Sequence, residues 1–217
     1  YVVARYSKKN KNMHWNDGNF DQFTTPIETL DLVGDSTHYD AEMRKWEELA
    51  STCEPYLKDT GGNYLIAVLS DTKKTIPFYK TKIAETNTGN SVYEELTPAY
   101  SDDNLIVEER TTYTLDELYD GYTATFDLIK LDTQGSEIDI LNGGSRMIKN
   151  TSVVIIEVSH VEYNEKAPLV DEVVEYMDSI GFVYNMEIGR SYSNQFQTND
   201  GIIQRDYVFV NKEFVYE

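Results

Sequence analysis

The protein has 217 residues, 40% hydrophobic and 12% aromatic, which supplies a core for a single domain spanning 1–217 and argues against disorder. Its 38 acidic residues against 19 basic ones give a net charge of −19, which repels phosphate backbones and anionic lipid, so neither nucleic-acid nor membrane-surface binding is expected. The lone Cys53 allows no intramolecular disulfide or zinc motif, and no apolar run approaches the roughly 20 residues that span a bilayer; a cytoplasmic location is expected.

The chain opens on Tyr1 rather than methionine, as a trimmed or partial chain does, and Tyr1 to Asn12 lacks the apolar middle of a signal peptide. Lys8, Lys9 and Lys11 read as a solvated tail. Leu30 to Gly34 is a strand candidate. Tyr39, Met43, Trp46 and Ala50 then recur at helical spacing, and Tyr64 to Leu69 reads as a second strand. Asp71 to Arg110 has no helical period and carries the turn residues Asn87-Thr88-Gly89-Asn90, so it is expected to be an extended insertion or hairpin.

Thr114-Leu115-Asp116-Glu117 is a capping box that starts a helix ending near Gly121. A buried strand comes next at Phe126 to Leu131. Gly135 to Leu141 then supplies a helical turn or two, stopped by Asn142-Gly143-Gly144, and Val153 to Val158 forms the next strand. This is a β-α-β unit. Leu169, Val173, Val174, Met177 and Ile180 mark one more helix. Phe182 to Val210 closes the chain as an antiparallel hairpin with a polar loop from Ser191 to Gly201. The alternation predicts an α/β fold, a doubly wound and mostly parallel sheet.

In such a sheet ligands bind beyond the carboxyl ends of the strands. Two segments lie there: Lys130-Leu131-Asp132-Thr133-Gln134-Gly135-Ser136-Glu137 and Glu157-Val158-Ser159-His160. Their strands are consecutive, so Asp132, Glu137, Glu157 and His160 are expected to converge on one crevice. The plain alternatives are a Lys130–Glu137 ion pair across the turn, Asp132 as a helix cap and His160 as a structural residue. Asp102-Asp103, or Asp132 with Asp139, gives no Asp-x-Asp at a strand end, and no metal site is expected.

The run Lys130-x-Asp132-x-x-Gly135-x-Glu137, followed by Ile140-Leu141 and Gly143-Gly144, resembles the hallmark of the FkbM family of S-adenosylmethionine-dependent methyltransferases. Thr114-Leu115-Asp116, Ala67-Val68-Leu69-Ser70-Asp71 and Gly181-Phe182 look like other family segments. The resemblance covers Leu65 to Val210, so that 64–217 is the well-matched part and 1–63 the atypical one. It implies a Rossmann-like class I methyltransferase fold, S-adenosylmethionine as cofactor, and transfer of its methyl group to a hydroxyl of a sugar, glycan or natural product.

The resemblance also implies roles. Ser70, Asp71 and the loop residues Asn16, Asp17 and Gly18 would bind cofactor, and Asp35 would hold its ribose hydroxyls. Asp132 would lie near the cofactor, His160 or Glu157 would be the base, and Glu137 would orient the substrate hydroxyl or Lys130. Where the family has Gly-Ala in its first loop, this chain has His14-Trp15. That departure makes a non-catalytic binding or scaffold domain the alternative, with a glycosyltransferase on a similar scaffold as a third reading.

Overall fold

A computed structural model of the protein describes residues 67–83, 89–119, 126–196 and 198–214, together with the backbone of 2–6. The chain divides into two compact units, Tyr1–Lys8 with Val68–Glu217, and Lys9–Ala67; the described strands and helices all belong to the first. The strand expected at Leu30 to Gly34 and the Tyr39 helix lie outside the described residues.

Eight strands form two sheets among the described residues. β1 (Val2–Tyr6), β5 (Phe126–Leu131), β6 (Val153–Ser159), β8 (Ile202–Asn211) and β7 (Phe182–Tyr192) make a five-stranded sheet in that order. β2 (Val68–Leu69), β4 (Leu105–Tyr113) and β3 (Thr75–Thr81) make a three-stranded one. Four α-helices accompany them among the described residues: α1 (Leu115–Leu118), α2 (Glu137–Gly143), α3 (Ser145–Lys149) and α4 (Val170–Ser179).

β5 and β6 run parallel, with Leu131 opposite Ile156, and α2 and α3 lie between them in the chain. The expected β-α-β unit is therefore present. β7 and β8 form the expected antiparallel hairpin, and β3 with β4 answers to the hairpin read in Asp71 to Arg110. The architecture is mixed α/β. Among the strand pairs of the described residues only β5–β6 and β2–β4 run parallel, against the mostly parallel sheet expected. The reason is local: β8 folds back on β7 as a hairpin, through the polar loop after Tyr192, and its other edge then meets β6 antiparallel as well.

Alternation along β5 and β6 sends every second side chain to the core. Ile129, Leu131, Val154, Ile156, Val158 and, from β8, Phe209 are all 0% exposed. They pack against Ile140 and Leu141 of α2, Met147 and Ile148 of α3, and Val173 and Met177 of α4. The other face of these strands carries Lys130, Glu157 and Asp206, as the pairings Lys130 with Ile155 and Glu157 with Asp206 require.

The glycine pair at the end of α2 is the expected stop, and it does more than end the helix. Gly143 ends the helix where a β-carbon would collide with the carbonyl oxygen of Ser70, so its bare backbone lets the end of β2 close on α2. Gly144 turns the chain directly into α3, whose first N–H groups are met by Asp116 of α1: Arg146 N donates at 2.9 Å and Met147 N at 3.0 Å.

Helix α1 is shorter than expected, giving way at Tyr119. The threonine half of the expected capping box is present, with Thr114 Oγ1 accepting from Glu117 N at 3.0 Å. Thr114→Ala is expected to cost about 1 kcal/mol in urea denaturation, with Thr114→Ser close to wild type. No described helix is long and apolar enough to cross a membrane.

Candidate active site

The turn that leaves β5 is built by its own side chains. Gln134 has φ 55° and Gly135 φ 105°, two successive left-handed residues that swing the chain from strand into α2. For glutamine this conformation is uncommon and costly. Gly135 is obligatory, since a β-carbon there would lie 2.6 Å from that of Ala167. Glu137 is 5% exposed and folds back under the turn. Its carboxylate accepts from Thr133 N at 2.8 Å, Thr133 Oγ1 at 3.0 Å and Gly135 N at 3.0 Å. Burial pushes this carboxyl above its ordinary value, against the pull of those donors. Lys130, one of the two orienting partners anticipated for Glu137, is not among its hydrogen-bond partners; the carboxylate holds the turn.

Lys130 instead approaches Asp132 at 3.2 Å and Asp206 at 3.5 Å. Burial pulls its ammonium down, and the two carboxylates more than offset this, leaving it above its ordinary value. Beside this pair stands Glu157, near the carboxyl end of β6. Gln134 Nε2 donates to Glu157 Oε2 at 2.8 Å and reaches Asp132 Oδ1 at 3.4 Å, so one amide bridges two acids. Burial first, then Asp132, Glu137 and Asp206, raise the Glu157 carboxyl to about 8. A carboxylic acid that exchanges its proton near neutrality is chemically suited to general-base work.

The structure brings together Lys130, Asp132 and Glu157, and supports them with Glu137 from beneath. His160 stands apart. It comes three residues after Glu157, and its Nε2 lies 3.5 Å from the hydroxyl of Tyr207, a residue paired with core-facing Ile156. The imidazole is therefore on the opposite side of the sheet from Glu157. Burial, then Arg205, lowers its pKa. With Thr198, Asn199, Asp200 and Arg205 it lines a separate cleft of about 300 Å³.

Ser70 and Asp71 come after β2, against α2. Ser70 is 1% exposed, and its hydroxyl donates to Asp71 Oδ1 at 2.9 Å. Lys74 Nζ donates to the same carboxylate at 2.6 Å and holds it below the usual range. Asn16, Asp17, Gly18 and Asp35 lie outside the described residues. Among the described residues no group of three or more His, Cys, Asp or Glu side chains is arranged to hold a metal ion.

Two participants escaped the sequence reading. Asp206 reaches the site only through the β6–β8 register, which no local pattern encodes. Gln134 sits inside the Lys130 to Glu137 motif, but its role depends on a left-handed backbone that its residue type does not advertise.

A family model described as the methyltransferase FkbM domain matches residues 16–184. No curated protein matches the chain, and no solved structure does.

Proposed function

Because the chain belongs to the FkbM methyltransferase family, we propose that it is an S-adenosylmethionine-dependent O-methyltransferase whose acceptor is a hydroxyl of a sugar, glycan or natural product. The observation that carries the reading is Glu157, a half-buried acid raised to about 8 at the carboxyl end of a parallel strand, hydrogen-bonded by Gln134 beside Asp132. The fold that goes with this reading is a doubly wound, Rossmann-like sheet.

The donor set fits a cationic cofactor. Asp132 and Asp206 both approach Lys130, and Glu157 stands beside Asp132, so the site is rich in carboxyl groups that suit a sulfonium. When bound, the cofactor supplies an electrophilic methyl group. Asp132, Ser70 and Asp71 would help to hold it, and the family resemblance implies Asn16, Asp17, Gly18 and Asp35 as further cofactor-binding residues.

Glu157 in its ionised form would take the proton of the acceptor hydroxyl, whose oxygen gains the methyl carbon as the methyl–sulfur bond breaks and S-adenosylhomocysteine leaves; the carboxyl would then return that proton to solvent. Lys130 pairs with both Asp132 and Asp206. Glu137 keeps the Asp132–Gly135 turn in shape. Holding acceptor and methyl in line contributes several kcal/mol, roughly 7 to 11 in the best intramolecular cases.

The test is release of S-adenosylhomocysteine from protein incubated with S-adenosylmethionine and a panel of sugars and hydroxylated natural products. Acceptor-dependent release, with mass spectrometry placing the methyl on oxygen, is the expected result. Cofactor binding without release across the panel, or sugar-nucleotide hydrolysis that needs added metal, contradicts it.

A further inference from the structure

The connector between β3 and β4 contributes a residue to the site. Ser91 is 3% exposed and tied to β3 by both backbone groups: its N–H donates to Tyr79 O at 3.1 Å, and its carbonyl accepts from Tyr79 N at 2.7 Å. Its Oγ accepts from Tyr93 N at 3.3 Å, which directs the hydroxyl proton the other way. There it meets the carbonyls of Thr133 at 2.9 Å and Gln134 at 3.0 Å.

These carbonyls belong to the turn whose N–H groups Glu137 holds from beneath. Glu137 leaves the carbonyl side of Gln134 untouched, and that residue is in the left-handed conformation glutamine resists. Ser91 supplies the missing restraint. The side chain of Gln134 in turn donates to Glu157.

We propose that Ser91 is a positioning residue: its hydroxyl pins the carbonyls of Thr133 and Gln134, and so holds the Gln134 amide on Glu157. Ser91 does not touch Glu157; it acts through Gln134. The inference rests on Glu157 as the proton acceptor of the proposed reaction. The charged and titratable groups facing Glu157 are Asp132 and Lys130 from β5 and its turn, Glu137 from α2, Asp206 from β8 and Tyr163 after β6.

The experiment needs no acceptor. The Glu157 carboxyl is titrated by carbon-13 NMR of glutamate-labelled protein, its resonance assigned by its loss in Glu157→Gln. A donated hydrogen bond favours the ionised form, so losing it moves the midpoint upward. Gln134→Ala is expected to raise it by about 0.5 to 1 pH unit, the equivalent of one hydrogen bond. Ser91→Ala should raise it in the same direction, and the double variant should go no further than Gln134→Ala alone.

Ser91→Cys, nearly isosteric and a weaker donor, should shift it less, and provides the same comparison if the alanine variant does not fold. A lower melting temperature with an unmoved midpoint, or shifts that add in the double variant, overturns the proposal. A wild-type midpoint in the ordinary carboxylate range would overturn Glu157 as base, while the response to the Ser91 variants would still decide the role of Ser91.

Discussion

Glu157→Gln is expected to lower turnover by about 10² to 10⁴-fold, the range that a positioned proton acceptor contributes, while cofactor affinity stays near wild type. Glutamine keeps the shape and can still accept from Gln134, but it cannot take a proton. In the wild type the rate should climb with pH and level off above about 8, because the carboxyl must be ionised to act and burial beside Asp132, Glu137 and Asp206 delays that ionisation. The variant should lose this rising limb.

The same shift predicts the opposite sign for stability. The folded carboxyl, raised above its ordinary 4.5, keeps a proton that the unfolded chain releases. Stability therefore falls as pH rises from 4.5 to about 8, and the loss is complete above that. Glu157→Gln removes the penalty, so its melting temperature should exceed that of wild type at about pH 9 and match it at about pH 4. A variant that loses turnover and melts lower at every pH would place Glu157 in the scaffold instead.

Gly135→Ala carries the largest expected loss of stability. Left-handed backbone costs an L-residue roughly 1 to 2 kcal/mol. Here the new methyl would also stand 2.6 Å from the β-carbon of Ala167 and 3.3 Å from the Tyr93 ring. Overpacking of that kind costs about 1 to 3 kcal/mol more, for a total of about 2 to 5 kcal/mol in urea denaturation. The turn carries Asp132 and Gln134, so turnover should fall with it even where the variant remains folded. A near-neutral result would mean that the turn takes another shape.

Whatever is written in contiguous residues is legible in the sequence. The β5–α2–α3–β6 unit and the α4 face arise from apolar runs, helical spacing and turn residues that act within a few positions of one another. The Lys130 to Glu137 motif likewise marks the right turn. Pairing direction is less legible, because it depends on which edges the tail strands find: β8 lies antiparallel against β6 for reasons of connection, not composition.

Individual roles divide in the same way. Glu137 looks like a site acid in the sequence and proves to be the internal support of its own turn, since nothing in a short motif says which carboxylate points inward. Asp206 and Ser91 arrive from 49 and 66 residues beyond and before Glu157, by subtraction of their numbers, and only the tertiary structure joins them to it. The separation of His160 from Glu157 is, by contrast, readable from the sequence. Three residues along extended chain is an odd step, and alternation alone puts the two on opposite faces.

Calorimetric titration of the protein with S-adenosylmethionine, and with its demethylated product, tests the central claim most directly. The account predicts micromolar binding of both, weakened at least about tenfold in Asp35→Ala, the variant lacking the carboxylate assigned to the ribose hydroxyls. No heat of binding from protein that melts cooperatively would contradict it, and would make the His14-Trp15 departure the mark of a domain that no longer holds the cofactor.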